Sequence, residues 1–309
     1  MEASTQPLPV RRTKEDDLTK ARIWLAALVA IFALVVASCA DDDDGGETAA
    51  PTGETAATGA TGETGIPEFT TLEEGVLQVA SCLDYPPFES VEGGDEVGFD
   101  VDLVEEIASR LGVEVRWITH DFDTVFTALQ GNQFDMVAAA STITDERLQI
   151  VDFTDPYYAA RQSMIVNVEE TPDLTSTDQL GEGDVVGVQR GTTGQAWAEE
   201  NLAPQGVEFK TFTNITPAYQ DLEAGGVVAI ISDEPQAVSV AGTEFPSLAV
   251  VQGIDTDENY GFATSKDNPE LTAAANFALA EIIADGTYAS IFEEYFPDQE
   301  IPPQFQPSA

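Results

Sequence analysis

Val104-Glu105-Glu106-Ile107-Ala108-Ser109-Arg110-Leu111-Gly112-Val113-Glu114-Val115-Arg116-Trp117-Ile118 contains the change of period that decides the fold class. Val104, Ile107, Ala108 and Leu111 stand at i, i+3, i+4 and i+7, one apolar face of a helix that Asp100 or Asp102 can cap. Gly112 ends that helix, and Val113 to Ile118 follow as a short strand rich in Val and Ile. The same alternation extends outward on both sides. Strands are expected at Val76 to Ala80, Met136 to Ala139, Met164 to Val168, Val185 to Val188, Val207 to Phe212, Val227 to Ile231, Leu248 to Val251 and Tyr260 to Ala263. Helices are expected over Thr124 to Gln130, from near Gln195, from Thr216-Pro217 (N-cap and first turn) to Gly225-Gly226, and from Asn268-Pro269 to Asp285-Gly286. Strands alternating with helices predict an α/β protein with parallel sheets, and the apolar helix positions are its core.

The 309 residues allow one large or two ordinary domains, and 43% apolar content rules out a disordered chain. Twelve Lys and Arg against 56 Asp and Glu give a net charge of -44, which excludes nucleic-acid binding because no basic surface can be assembled. Arg11, Arg12, Lys14, Lys20 and Arg22 precede an apolar run from Ile23 to Ala37, long enough for the apolar region of an export signal and too short to span a bilayer. The run ends in Val36-Ala37-Ser38-Cys39, which resembles the lipobox of bacterial lipoproteins. That resemblance implies a signal peptide over 1–39, lipid on Cys39 and an extracytoplasmic protein anchored to the cell membrane. The alternative, a short transmembrane anchor, conflicts with Arg22 and Asp41 to Asp44 standing so close to the apolar run. Residues 40–65 contain no large apolar side chain and are expected to form a flexible acidic linker. With Cys39 lipidated, Cys82 has no partner for a disulfide.

No catalytic or metal-binding spacing stands out around His120 or Cys82, and neither a metal nor a cofactor is expected. Three segments end strands at the edge where α/β folds bind ligands. In Ser141-Thr142-Ile143-Thr144-Asp145-Glu146-Arg147, Arg147 is either a buried fork for a carboxylate or a surface partner of Asp145 or Glu146. Gln189-Arg190-Gly191-Thr192-Thr193-Gly194 is either an anion site at a helix start or an ordinary turn. In Ser232-Asp233-Glu234-Pro235, Asp233 is either an acceptor for an ammonium or an N-cap. Taken together they suit an α-amino acid, with Arg147 and the glycine turn at its carboxylate and Asp233 at its ammonium. Tyr85, in Tyr85-Pro86-Pro87-Phe88-Glu89, can cover an apolar ligand stem.

These segments, with Gly98-Phe99-Asp100-Val101-Asp102-Leu103, Val151-Asp152-Phe153-Thr154-Asp155-Pro156-Tyr157-Tyr158, Tyr260-Gly261 and Asp285-Gly286-Thr287-Tyr288, resemble in order and spacing the family 3 extracytoplasmic solute-binding proteins, the polar amino-acid receptors of ABC importers. The resemblance covers nearly all of Ile66 to Pro297. It implies a two-lobed periplasmic-binding-protein-like fold (type II) with two hinge strands, lobe 1 over 66–161 and 259–300 and lobe 2 over 162–258. It also implies that Arg147 binds the ligand carboxylate with Thr142 and Thr193, and that Asp233 takes the ammonium with the Thr142 hydroxyl and the Ala140 carbonyl. Tyr85 and Phe122 then sandwich the ligand side chain, Phe122 being otherwise a core ring. A monomer is expected, closing on its ligand and delivering it to an ABC permease.

Cys82 departs from the family: it stands where glutamine and basic-amino-acid binders carry an acid. Asp84, Glu89 or Glu92 can substitute, while Gln189 and Ser232 would face the side chain as neutral groups. A neutral polar amino acid is therefore expected first, a basic one second, and an acidic one, which needs Arg190 or Arg161 turned inward, third. The runner-up function is that of the cyclohexadienyl dehydratases on the same fold, with Glu234, Glu89 or His120 as proton donor. A signalling receptor is a third possibility and needs a second membrane span and an intracellular domain.

Overall fold

The computed structural model describes residues 65–307. The expected signal peptide, Cys39 and almost all of the expected linker lie outside the described residues.

Two five-stranded sheets organise the chain. The first has the order Glu114–Thr119, Val76–Ser81, Met136–Val137, Ala263–Thr264, Asp152–Phe153, parallel over its first three strands and antiparallel at Ala263–Thr264. The second has the order Glu208–Phe212, Val185–Gln189, Ala229–Asp233, Tyr158–Asn167, Leu248–Tyr260, again parallel over its first three strands. Each carries helices, so the fold is α/β with two lobes. Asp84–Tyr85, Glu89–Glu92 and Asp95–Val97 form a small antiparallel sheet that the sequence pattern did not signal.

Phe99–Leu111 is the helix read from the opening stretch; it buries Val104, Ile107, Ala108 and Leu111 and ends at Gly112. Its N-cap is Gly98, not Asp100 or Asp102. At φ 139° Gly98 lies so close to the small sheet that an added Cβ would sit 2.1 Å from the Phe88 carbonyl oxygen. Asp100 is instead fully buried, where its Oδ2 accepts the Ala140 amide (2.9 Å) and the Tyr157 hydroxyl (2.7 Å). Other helices start earlier than expected: Phe122–Gln130 rather than at Thr124, Thr193–Leu202 rather than near Gln195, and Ile215–Glu223 with Asn214, not Thr216, as N-cap. Asn268 does cap Pro269–Ala284, through its side chain and the Leu271 amide.

The two longest strands, Tyr158–Asn167 and Leu248–Tyr260, link the lobes. In the second sheet Ile165 pairs with both Val250 and Ile230; at the other end Tyr158 pairs with Tyr260 among the buried rings Phe88, Phe99, Phe292 and Phe296. This aromatic cluster anchors the strands in the first lobe. Between the anchors the pairing shifts register twice, between Val250 and Gln252 and again between Ile254 and Glu258, so the crossover is the least regular part of the ladder.

Candidate functional site

Loops at the ends of both sheets meet at one cavity lined by Cys82, Tyr85, Glu89, Phe122, Ala139, Ala140, Thr142, Arg147, Gln189, Thr192, Thr193 and Asp233. Of the residues the sequence placed at a ligand, the structure brings together Arg147, Asp233, Thr142, Thr193, Tyr85, Phe122, Ala140, Cys82 and Gln189, and with them Glu89 of the three substitute acids; Ala139 and Thr192 are additions. Ser232 is buried but does not line the cavity, Glu92 is exposed on the small sheet, and the Asp84 carboxyl faces Asn214. Arg161 pairs with Glu234 and Asp255, and Arg190 with Asp123, so neither turns inward. His120 is half-buried, its ring against Phe134, and lies outside the lining with Glu234.

The strand Met136–Val137 stops short because the chain turns at Ala140, whose φ of 42° is held by the Asp100 bond. The turn carries Ser141 to Ile143 onto the end of the second hinge strand, with Ile143 N donating to Asn259 O (2.8 Å) and Gly261 N to Ser141 O (3.1 Å). Thr142 is thereby fixed against the hinge.

Arg147 opens a short 3-10 turn and is 8% exposed. It makes no ion pair with Asp145 or Glu146. Its Nη1 donates to Thr142 O (2.6 Å) and its Nη2 reaches Gly191 O in the other lobe (3.2 Å). The guanidinium also lies over the rings of Phe122 (5.1 Å) and Phe126 (4.7 Å). Burial pushes its pKa down to about 10, against the pull of Asp233 and Glu258. Phe122 therefore belongs both to the core and to the cavity wall.

Across the cavity, Thr192 caps the helix Thr193–Leu202 by accepting the Gln195 amide (3.1 Å). The first amides of that helix have no intrahelical carbonyl and are the natural donors for an anion. Gly194 is needed for close packing: a Cβ there would meet Gln162 Oε1 at 2.7 Å. Asp233 occupies an N-cap position, yet its side chain makes no capping bond. Its carboxylate accepts Gln162 Nε2 (2.5 Å) and the Tyr260 hydroxyl (2.5 Å), with Tyr85 also against it. Burial pushes Asp233 up to about 6, with Glu258 adding to the shift. An arriving ammonium would lower it again.

Glu89 is the group with no counterpart. It is 1% exposed, lines the cavity, and neither carboxyl oxygen has a hydrogen-bond partner. Burial, then the charges of Asp100, Asp84 and Asp233, raise its pKa well above the ordinary carboxylate value. Beside it the Cys82 thiol is also raised, by burial and then by Glu89, and stays protonated. The arrangement offers donors for a carboxylate at one end, an acceptor for an ammonium beside them, aromatic walls, and a second unsatisfied acid at the far end.

Residues 77–298 match the family model described as bacterial extracellular solute-binding proteins, family 3. The lysine/arginine/ornithine-binding periplasmic protein of Escherichia coli (strain K12) is 35% identical over 239 residues, 74% of this chain and 90% of that protein. Among solved structures, an ancestral arginine-binding protein bound to arginine is 38% identical with a TM-score of 0.68, covering 72% of this chain and 98% of that one. An ancestral amino acid-binding protein, a precursor of cyclohexadienyl dehydratase, is 35% identical with a TM-score of 0.67, covering 72% of this chain and 96% of that one. All three are named as binding proteins.

Proposed function

This chain belongs to the bacterial extracellular solute-binding proteins, family 3, and from that membership we propose that it captures a cationic α-amino acid between its two lobes and delivers it to an ABC import permease. Arg147 and the first amides of the helix Thr193–Leu202 hold the α-carboxylate. Asp233, the Ala140 carbonyl and the Thr142 hydroxyl take the α-ammonium. Tyr85 and Phe122 cover the aliphatic stem, and Glu89 meets the side-chain cation. Lobe 1 comprises 66–161 and 259–300 and lobe 2 comprises 162–258, a division supported by the strands each sheet draws on. Lipid on Cys39 and the linker to residue 65 keep the receptor near its permease.

The observation that carries this reading is the buried, unpartnered Glu89 carboxyl on the cavity wall. Such a group is destabilising until something compensates it, and a guanidinium or ammonium does so directly. Glu89 replaces the acid missing at Cys82 and moves basic ligands ahead of neutral polar ones. A neutral polar ligand is the second reading, favoured by Gln189 and by a protonated Glu89 able to donate one bond. Of the three proton donors considered for a dehydratase, only Glu89 lines the cavity.

The test is thermal unfolding of residues 40–309, stripped of ligand, against the common amino acids and prephenate. A ligand at about 100 times its Kd adds roughly 2.7 kcal/mol, or about 5–10 °C for a body this size. Arginine, lysine or histidine is expected to give such a shift, with glutamine smaller and the acidic amino acids and prephenate silent. A shift confined to neutral or acidic amino acids would overturn the ligand class, and turnover of prephenate would overturn the receptor.

A further inference from the structure

Behind the cavity, on the second hinge strand, lies a carboxylate that no ligand-facing motif contains. Glu258 is 7% exposed and accepts four hydrogen bonds. Its Oε2 receives the hydroxyls of Thr142 from the first lobe (2.6 Å) and Thr193 from the second (2.7 Å). Its Oε1 receives Gln162 Nε2 (2.9 Å) and the Thr256 hydroxyl (2.7 Å). Gln162 stands between two acids: the same Nε2 lies 2.5 Å from Asp233 Oδ1 and 3.2 Å from Thr193 Oγ1. Reversing its amide would aim an oxygen at both carboxylates, so Asp233 and Glu258 fix its orientation.

A hydroxyl has one hydrogen to give. With both hydrogens committed to Glu258, Thr142 and Thr193 present only lone pairs to the cavity they line. We infer that Glu258 is a positioning residue that sets the hydrogen-bonding sense of the site, turning Thr142 and Thr193 into acceptors for an ammonium and leaving the ligand carboxylate to Arg147 and main-chain amides. This rests on the amino-acid reading above and sharpens it: the Thr193 side chain reads the α-amine, not the carboxylate. Because one oxygen ties a hydroxyl from each lobe, the acceptor pair is complete only when the lobes are closed. The α-amine is therefore read at closure.

The experiment compares L-arginine with 5-guanidinopentanoate, which lacks only the α-amino group, by calorimetric titration of the wild type, Glu258→Gln and Thr193→Val. Glu258→Gln removes an acceptor and frees a hydroxyl to donate, so the preference for arginine is expected to fall by about tenfold or more, mainly through weaker arginine binding. Thr193→Val, which does not depend on tolerance of a change at the hinge, is expected to weaken arginine and leave the des-amino analogue within about twofold of wild type. Equal weakening of both ligands by either variant would overturn the assignment and mark these side chains as structural or as carboxylate donors. Failure of the wild type to bind arginine would be a different result: it would overturn the ligand reading and this assignment with it.

Discussion

Replacing Arg147 by alanine is expected to weaken L-arginine binding by about 10²- to 10⁴-fold, because two charge-assisted hydrogen bonds to a carboxylate, each worth roughly 1.5–3 kcal/mol, disappear together. No other cation replaces them. Every other Lys and Arg of the described residues, Arg110, Arg116, Arg161, Arg190, Lys210 and Lys266, is paired with a carboxylate elsewhere. The fold should survive, since the side chain's structural bonds are the two to Thr142 O and Gly191 O, and removing a desolvated guanidinium offsets part of their loss. Arg147→Lys keeps the charge without the planar fork and should recover only part of the affinity. Titration calorimetry checks the affinities and circular dichroism the fold. Binding within threefold of wild type by Arg147→Ala would remove this residue from the site.

Glu89→Gln carries the second large effect, and its direction differs between ligands. Breaking a buried charge pair by removing one partner typically loses about 3–5 kcal/mol, so arginine and lysine should weaken by about 10²- to 10⁴-fold. Glutamine should be unaffected or bind better, because the new amide can pair with a neutral side chain. The ligand-free protein should melt higher, since an unpartnered buried carboxyl has been replaced by a group that never needs to ionise. A loss common to arginine and glutamine would mean that Glu89 supports the pocket and does not select the ligand.

How far the sequence carried this reading depended on whether a residue answers to its neighbours along the chain or to distant ones. The helix Phe99–Leu111 was legible because one apolar face must be buried at period 3.6, and the core strands because Val and Ile cluster where both faces are covered. Leu248–Tyr260 was read in two pieces: Gln252 to Asn259 is polar and acidic, and the hinge holds by cross-strand hydrogen bonds, without the apolar alternation of a half-buried strand. Asp100 read as a cap because a local rule fits it, yet a fold-level contact with Ala140 and Tyr157 claimed it. Nine of the twelve cavity residues were assigned to the ligand through the family resemblance that motif order carries, while spacing alone left Arg147 and Asp233 undecided between surface and site. Glu89 was one of three interchangeable acids until burial separated it from Asp84 and Glu92. Glu258 and Gln162 gave no signal, since one acid among 56 is not conspicuous and their roles arise only where the two hinge strands pair.

The central claim, a cationic amino acid compensating buried acids, is tested most directly by titrating the ligand-free protein with L-arginine and with L-glutamine at pH 6, in two buffers of different ionisation enthalpy. Burial raises Glu89 and sets Asp233 at about 6, so at pH 6 Asp233 is about half protonated before binding, and an approaching cation favours the charged form of both acids and drives protons off them. Arginine binding should then release on the order of one proton and tighten as pH rises from about 5 to about 7, while glutamine, which addresses Asp233 alone, should release less. Equal proton release for the two ligands, or arginine heats that do not change with buffer, would contradict the account.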